Sequence, residues 1–393
     1  MNDISIDYAN HSSFPHGLKT LQVDIAYIER FNELYAVGIS GDFRACVEMK
    51  STCHQIRELM LQQTSDFLEA HFINELFDEV EKMAMQHMRY LGKLEQNHPR
   101  RVSNLGQELL ENRYYLTAIS DVCLKEINDI AAPLVEVLRG RAAQGIRSRE
   151  QLSVNNGWRI RRIVRCLNKE FKKLGVLDSL RTVSIGPMEV VGTALELSAP
   201  GSTWWKNSQE DVQPENVLYA HLDQEIDAPK SIVYLTDVGS ENGPTTCYPE
   251  VYKNISITKI QDLIGRAIWN LGKNPTSPLG TAYLRHEKIT DSNLFKEHFM
   301  KLPEQMRFNS HFGWDVVPGS AIEKFMLTKE TIVMGKAGTS LVFDGGTIVH
   351  RGGLIQEGER IVLQVVFGPG TWADRIKKYS RQIMSRTIRR TPR

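Results

Sequence analysis

Residues 221–244 read HLDQEIDAPKSIVYLTDVGSENGP, and this stretch decides the fold class because it joins a candidate metal-binding pair to a β-rich segment. Successive side chains of a strand point to opposite faces, so His221 and Asp223 share one face while Leu222 points away into packing. One imidazole and one carboxylate on the same face provide two of the three ligands of a facial triad, the arrangement that leaves positions open on iron. The pair alone does not establish a metal site, because a His-x-Asp sequence also arises by chance.

A second signal lies in residues 345–353, GGTIVHRGG, where His350 stands between glycine-rich turns. A histidine in such a place can simply cap a turn, but together with His221 and Asp223 it becomes the candidate third ligand. Three other histidines compete for this position: His286, His298 and His311. The first two lack both the glycine-flanked turn and a following strand that begins with arginine, which leaves His311 as the best rival.

The third signal is the segment 359–367, ERIVLQVVF, in which strand alternation puts Arg360, Val362 and Gln364 on one face. An arginine at the head of an apolar strand needs an anionic partner if it is buried. Its planar fork matches the distal carboxylate of 2-oxoglutarate in a bidentate way. The alternative is an arginine that lies at the strand end and is open to solvent.

These signals occur in an order that resembles a known family. The segment 221–244, followed by LVFDGGTIVHRGGLIQEGER at 341–360, is similar to the phytanoyl-CoA dioxygenase-like branch of the Fe(II)/2-oxoglutarate oxygenases. The resemblance covers only these parts of the chain, and it implies a double-stranded β-helix barrel of the jelly-roll or cupin-like kind. It implies roles for four residues: iron ligands His221, Asp223 and His350, and the 2-oxoglutarate anchor Arg360. The interval between the second and third ligands is longer than usual for the family.

The activity implied by the resemblance is that of an Fe(II)- and 2-oxoglutarate-dependent dioxygenase. Such an enzyme uses O2 to hydroxylate an unactivated C–H bond of a small molecule or biosynthetic intermediate, and it releases succinate and CO2. Related halogenases lack the carboxylate ligand, so Asp223 predicts oxygen transfer rather than chlorination. Two alternatives stay open. The same cofactors can serve desaturation, epimerisation or cyclisation, and a jelly-roll protein can bind ligands without catalysis.

Three further aromatic residues and one lysine are candidates near this site. Tyr219 shares the predicted face of His221 and is a candidate for the 2-oxoglutarate pocket. Trp204 and Trp205 precede the metal strand and are candidates for a substrate-binding lip, with core packing as the alternative. Lys230 is placed either at the pocket or in solvent, and the solvated interpretation is favoured.

The whole chain is predicted to be an α+β protein in three parts. Residues 1–179 form a mainly helical region that packs on the barrel. Residues 180–373 form the double-stranded β-helix core with a helical insertion at 251–335, since a structureless loop of that length is implausible. Residues 374–393 form a basic tail or helix.

Apolar residues recur at helical spacing over 56–83, 104–140 and 159–173. Short β-rich segments punctuated by glycine and proline are predicted at 181–185, 189–196, 217–223, 231–236, 339–343 and 360–367.

Composition limits the other classes of function. A formal net charge of +1 over 393 residues argues against a dedicated nucleic-acid surface. The five cysteines form no Cys-x-x-Cys pair, which is typical of reduced thiols in the cytoplasm. The polar start of the chain does not resemble a signal peptide, and no apolar run is long enough for a membrane span. We therefore expect a cytoplasmic protein with a small-molecule substrate, and its oligomeric state is left open.

Overall fold

The computed structural model describes residues 15, 17–40, 42–97, 99, 101–144, 149–152, 157–200, 220–223, 227–249, 260–271, 292–306, 321–353 and 355–370. Within these residues the chain forms α-helices and antiparallel strands, which confirms the predicted mixture of helix and sheet. The helices are α1 (Ile25–Ser40), α2 (Phe43–Leu61), α3 (Phe67–Asn97), α4 (Asn104–Asn112), α5 (Asp121–Ala143), α6 (Gly157–Lys173), α7 (Val176–Ser179), α8 (Ile260–Leu271), α9 (Asn293–Lys301) and α10 (Ala321–Thr328). The strands are β1 (Tyr114–Ala118), β2 (Arg149–Leu152), β3 (Met188–Ser198), β4 (Lys230–Tyr234), β5 (Thr245–Tyr248), β6 (Thr331–Val333), β7 (Thr339–Phe343), β8 (Val349–Arg351) and β9 (Arg360–Pro369).

The strands of the described residues form two antiparallel sheets. The larger sheet has six strands in the order β1-β7-β4-β9-β3-β2, and the smaller has three in the order β6-β5-β8. The long pairing of β3 with β9 shifts register between Val190 and Gly192, as at a β-bulge. Within the described part of the chain the two sheets do not close into one continuous barrel. The jelly-roll part of the fold prediction therefore stays a prediction.

Strand alternation gives the large sheet two faces with different neighbours. On β9, Ile361, Leu363 and Val365 point to the outer face. There they share a hydrophobic cluster with Ile127 of α5 and Leu167 of α6. The outer face is thus covered by a helical layer.

The inner face of the large sheet packs against the small sheet. One hydrophobic cluster contains Val362 of β9 and Tyr234 of β4 together with Cys247 of β5 and Val333 of β6. The two sheets therefore enclose an apolar interior, as packed sheets do.

A second helical core lies beside the small sheet. Helices α1, α2 and α3 share a hydrophobic cluster with α8 and α9, and this cluster also contains Leu222, Tyr248 and Val349. Residues before 180 and residues of the range 251–335 thus contribute to the same core. The proposed division into domains at 180 and 251–335 itself stays a prediction.

Two predicted elements are wrong. The helical stretch at 104–140 is interrupted, because α4 ends at Asn112, its C-cap Arg113 is in the left-handed conformation (φ 67°), and β1 follows. This strand pairs with β7 at the edge of the large sheet. The strand predicted at 181–185 is also wrong, since Leu180–Thr182 form a short 3-10 helix.

Two short strands lie where the sequence predicts helix or insertion. Strand β2 comes from the mainly helical first part and pairs with β3. Strand β6 belongs to the range 251–335 and pairs with β5, so these three residues lie within the small sheet. None of the helices in the described residues combines the length and apolarity needed to cross a membrane.

Candidate metal centre

The two histidines of the candidate site form one isolated β-bridge. The backbone N–H of His221 donates to the His350 carbonyl at 2.9 Å, and the N–H of His350 donates to the His221 carbonyl at 3.0 Å. Residues directly opposite in an antiparallel pair project to the same face. Their imidazole ring centroids are accordingly 4.5 Å apart.

Asp223 joins the two imidazoles from the same strand face. Its backbone N–H donates to the Gly345 carbonyl at 2.7 Å, which fixes the chain two residues beyond His221. The candidate ligand atoms of His221, Asp223 and His350 all lie within 4.8 Å of one another. Leu222, between the first two, is 1% exposed and packs in the helical core on the opposite side, as alternation requires.

The hydrogen bonding of His350 fixes its tautomer. Nδ1 lies 3.0 Å from the Ile348 carbonyl oxygen, and since a carbonyl only accepts, Nδ1 carries the proton. Burial, followed by the His221 imidazole, lowers the pKa of His350 to about 3, although Asp223 opposes this shift. The ring is therefore neutral, and Nε2 has a lone pair. This nitrogen lies 3.9 Å from Asp223 Oδ2.

Asp223 is an anion held by a lysine. Burial alone would raise the pKa of its carboxyl group, but Lys230 and the two imidazoles outweigh burial and hold the pKa well below its usual range. Lys230 Nζ lies 2.7 Å from Asp223 Oδ1, and the lysine side chain is only 21% exposed. The favoured interpretation of Lys230 as a solvated residue is therefore wrong. The sequence analysis gave a place near the pocket only as the less favoured alternative and did not reveal the partner of this lysine.

Gly345 is a site residue that sequence reasoning treated only as part of a turn. A Cβ atom at this position would lie 1.9 Å from Asp223 Oδ2 and 2.8 Å from its carboxyl carbon. Real Cβ contacts essentially never come under 3.0 Å, so only glycine leaves room for the carboxylate here. The glycine-rich turn before His350 thus leaves space for the Asp223 carboxylate at the candidate metal centre.

Arg360 is buried at the inner face of the large sheet, with 3% exposure, so the solvent-exposed alternative is wrong. Its Nη1 donates to the Gly243 carbonyl, and Nη2 lies 3.5 Å from the Ser198 hydroxyl. Nε has no hydrogen-bond partner in the described part of the chain. Burial lowers the pKa of Arg360, and the nearby Glu196 carboxylate opposes this.

Gly353 connects the segment after His350 to the turn that Arg360 contacts. A Cβ on Gly353 would lie 2.4 Å from the Pro244 carbonyl oxygen and 2.7 Å from the Gly243 carbonyl carbon. Because both contacts are with backbone atoms, a side chain at this position would force the turn away. The Gly-Pro turn and the glycines after His350 are therefore in direct contact.

The remaining candidates are either elsewhere or outside the described residues. His298 lies in α9 with 7% exposure and stacks on Phe72, with ring centroids 3.8 Å apart. Among the described residues, the only group of three or more histidine, cysteine, aspartate or glutamate side chains close enough to hold a metal is the one at His221. The candidates that lie outside the described residues are Tyr219, Trp204, Trp205, His286, His311 and the tail 374–393.

These donors fit a divalent transition metal. Two imidazoles and one carboxylate converge, the His350 ring is neutral with its Nε2 lone pair directed to the cluster, and Asp223 is ionised. Metal-bound histidine usually donates its other ring N–H to a carbonyl or carboxylate, as His350 does to Ile348. The donor set is that of the facial triad, which leaves other metal positions open.

Comparison with known proteins gives only distant likenesses. No family model and no curated protein matches the sequence. AviO1 from Streptomyces viridochromogenes Tue57 has 11% identity and a TM-score of 0.35, covering 70% of this chain and 98% of that chain. HygX from Streptomyces hygroscopicus, with nickel and 2-oxoglutarate bound, has 11% identity and a TM-score of 0.34, covering 69% of this chain and 88% of that one. SnoK, a non-heme alpha ketoglutarate dependent carbocyclase from nogalamycin biosynthesis, has 11% identity and a TM-score of 0.33, covering 68% and 84%. Likenesses of this strength assign no function to this chain.

Proposed function

We propose that this protein is an Fe(II)- and 2-oxoglutarate-dependent dioxygenase that hydroxylates an unactivated C–H bond of a small molecule. The observation that carries the proposal is the convergence of His221, Asp223 and His350 within 4.8 Å. We also propose that the fold is a double-stranded β-helix related to that of the phytanoyl-CoA dioxygenase-like family. The two packed antiparallel sheets are compatible with it.

The donor set favours iron over a closed structural metal site. Two neutral nitrogen donors and one carboxylate satisfy only one face of the metal, whereas structural zinc sites are typically closed by four protein ligands. Bound Fe(II), with 2-oxoglutarate and O2, would supply the oxidising power for hydroxylation while 2-oxoglutarate is converted to succinate and CO2. Because Asp223 is a carboxylate rather than a small residue that admits a halide, oxygen transfer is the expected outcome.

The residues of the chain would orient the reactants and exclude water. In our proposal His221, Asp223 and His350 hold the metal, and Arg360 binds the 5-carboxylate of 2-oxoglutarate. Support for the second role comes from the burial of Arg360 and from its Nε, which has no hydrogen-bond partner in the described part of the chain. A buried guanidinium is costly unless an anion compensates it. Apolar side chains of both sheets give this interior a low polarity: Tyr234, Val238, Cys247, Val333, Leu341, Phe343, Ile348 and Val362.

Anaerobic titration tests the proposal. Purified protein given Fe(II) and then 2-oxoglutarate should develop the weak visible charge-transfer band of the chelate, and Asp223→Ala should abolish the band. Asp237→Ala is the matched control, because Asp237 also has a lysine partner at 2.7 Å but is exposed and does not belong to the group of candidate ligands. A band that persists in Asp223→Ala would refute the ligand set. Wild-type protein that binds no metal would favour a non-catalytic jelly-roll binding protein.

A further inference from the structure

Strand alternation on β4 explains why the Lys230 side chain points to the candidate metal centre. On β4, Ser231 and Val233 face away from the interior, whereas Lys230, Ile232 and Tyr234 face into it. Lys230 is thus an ammonium group on the inner face, on the same strand face as the apolar side chains of Ile232 and Tyr234, and such a cation requires an anionic partner. Its partner is Asp223 Oδ1, at 2.7 Å.

The two oxygens of Asp223 have different surroundings. Oδ1 accepts from Lys230, whereas Oδ2 lies on the side of the imidazoles, 3.9 Å from His350 Nε2. Oδ2 also lies against the Cα of Gly345, where an added Cβ would be only 1.9 Å away. The lysine on one oxygen and the glycine backbone against the other restrict rotation of the carboxylate.

We propose that Lys230 is a positioning residue that holds Asp223 Oδ1, so that Asp223 offers a metal only Oδ2. This inference rests on the proposed metal site. A carboxylate that bound through both oxygens would occupy one more metal position. The proposed reaction needs that position, since 2-oxoglutarate takes two positions and O2 takes one. Lys230 therefore preserves the open face of the site.

Replacement of Lys230 distinguishes the positioning role from a simple effect of its charge, because the two predict opposite changes in metal affinity. An ammonium group that acted only through its charge would repel a divalent cation, and its removal would tighten metal binding. A residue that orients a metal ligand through a hydrogen bond strengthens metal binding instead. Its loss typically weakens metal binding about 10- to 100-fold. We expect this loss of affinity in Lys230→Met, which keeps the side chain as far as Cε but lacks the charged, donating amino group.

The experiment is an anaerobic titration with Fe(II), and with Co(II) as a second probe, in the absence of 2-oxoglutarate. Lys230→Met should weaken binding, and Lys230→Arg should restore part of the affinity because it keeps a donating cation. Lys336→Met is the matched control, since Lys336 forms an ion pair of the same length, 2.7 Å, with Asp237 on the surface. This control should bind metal as the wild type does.

A crystal structure of the wild-type protein with Co(II) gives a measurement that does not depend on any variant folding. We expect Oδ2 alone on the metal, with Oδ1 still within hydrogen-bond distance of Lys230 Nζ. Ligation through both oxygens, or unchanged or tighter binding in Lys230→Met, would overturn the positioning role and leave the proposed function intact. An equal loss of affinity in Lys230→Arg would also overturn it, because packing would then explain the effect. Wild-type protein that binds neither metal would overturn both proposals.

Discussion

At the scale of single residues, Arg360 has the most informative surroundings. Its guanidinium is buried against the Gly243 carbonyl and the Ser198 hydroxyl, which are neutral groups, and the Glu196 carboxylate is close enough to affect its pKa. Strand alternation predicted that Arg360 shares a face with Val362 and Gln364, but the Ser198 and Gly243 contacts could not be predicted. They depend on the pairing of β9 with β3 and on the path of a turn more than a hundred residues earlier.

Replacement of Arg360 tests its role as the anchor of 2-oxoglutarate. Arg360→Ala should weaken 2-oxoglutarate binding by roughly 2–5 kcal/mol, on the order of 30- to 5,000-fold, because one partner of a buried charge pair is lost. Iron affinity should be nearly unchanged, and Arg360→Lys should recover only part of the loss, since a point charge cannot reproduce the fork. The measurement is an anaerobic titration of the Fe(II) protein with 2-oxoglutarate. Wild-type affinity in Arg360→Ala would exclude Arg360 from the site.

Gly345 offers a steric test of the metal centre. Gly345→Ala should weaken metal binding at least about tenfold, because the new Cβ would lie 1.9 Å from Asp223 Oδ2 and would displace this carboxylate. Gly239→Ala is the control, since a Cβ there would meet its nearest neighbour, Asn242 Oδ1, at an ordinary 3.6 Å. Anaerobic Co(II) titration of both variants measures the effect. Equal affinities in the two variants would contradict the steric role.

Asp227 gives a prediction about pH. Burial raises the pKa of its carboxyl group from 3.8 to about 6; the Ile185 N–H opposes this shift and Asp344 adds to it. Between these values the folded protein holds the proton more tightly than the unfolded chain, so the free energy of unfolding falls as pH rises from about 4 to about 6. Asp227→Asn keeps an acceptor for the Ile185 N–H, and asparagine tolerates the positive φ of 58°. The variant should be less sensitive to pH in this window and more stable than the wild type at pH 7.

Chemical denaturation at pH 4, 5, 6 and 7 measures the Asp227 effect. Asp237→Asn is the control with the opposite sign, because Lys336 lowers the pKa of the exposed Asp237 carboxyl group. Its ionised form stabilises the folded state above the unfolded pKa, and this contribution is lost as pH falls. A stability profile of Asp227→Asn that keeps the wild-type slope would contradict the prediction.

At the scale of elements, apolar periodicity locates some helices and strands closely but misses a strand that interrupts a helical stripe. The stripe predicted over 159–173 corresponds to α6 (Gly157–Lys173), and the strand predicted at 339–343 has the same bounds as β7. The stripe over 104–140 fails because Leu105, Leu109 and Leu116 keep a helical spacing across β1. Helix α4 ends at Asn112, and the left-handed conformation of its C-cap, Arg113, cannot be recognised from the spacing of apolar residues. The pairing partner of β1 is distant in sequence, so a local pattern cannot reveal it.

Helix α6 gives a test of the layer that covers the large sheet. Phe171 is fully buried, and its ring centroid lies 5.7 Å from that of Phe367 on β9. Phe171→Ala should lower the free energy of unfolding by about 3–5 kcal/mol, because it removes apolar contacts and leaves a cavity. Trp158 lies on the same helix but is 60% exposed, so Trp158→Ala should cost less than about 1 kcal/mol. Urea unfolding compares the two variants, and similar losses would contradict the packing of this helix.

At the scale of the whole molecule, the candidate site could be predicted because its signals are local. His221 and Asp223 share a face by alternation alone, and the glycine-rich turn marks His350. The bridge that joins His221 to His350 and the helical core behind Leu222 are not local. The bridge joins residues more than a hundred positions apart, and the helical core brings α1, α2 and α3 together with α8 and α9. The sequence therefore predicted which three side chains converge better than it predicted the architecture that brings them together.

This separation of the ligands along the chain links metal binding to the stability of the whole molecule. His221 and Asp223 meet His350 only when the sheets form, so the unfolded chain offers no comparable site. A metal that binds only the folded state stabilises it by about 2.7 kcal/mol at 100 times its dissociation constant. We expect Co(II) to increase the free energy of unfolding of the wild-type protein by this amount. Urea denaturation under anaerobic conditions measures the increase, and a chelator should reverse it. Asp223→Ala should show no such increase, whereas Asp237→Ala should keep it. Equal stabilisation of wild type and Asp223→Ala would mean that the metal binds elsewhere on the chain.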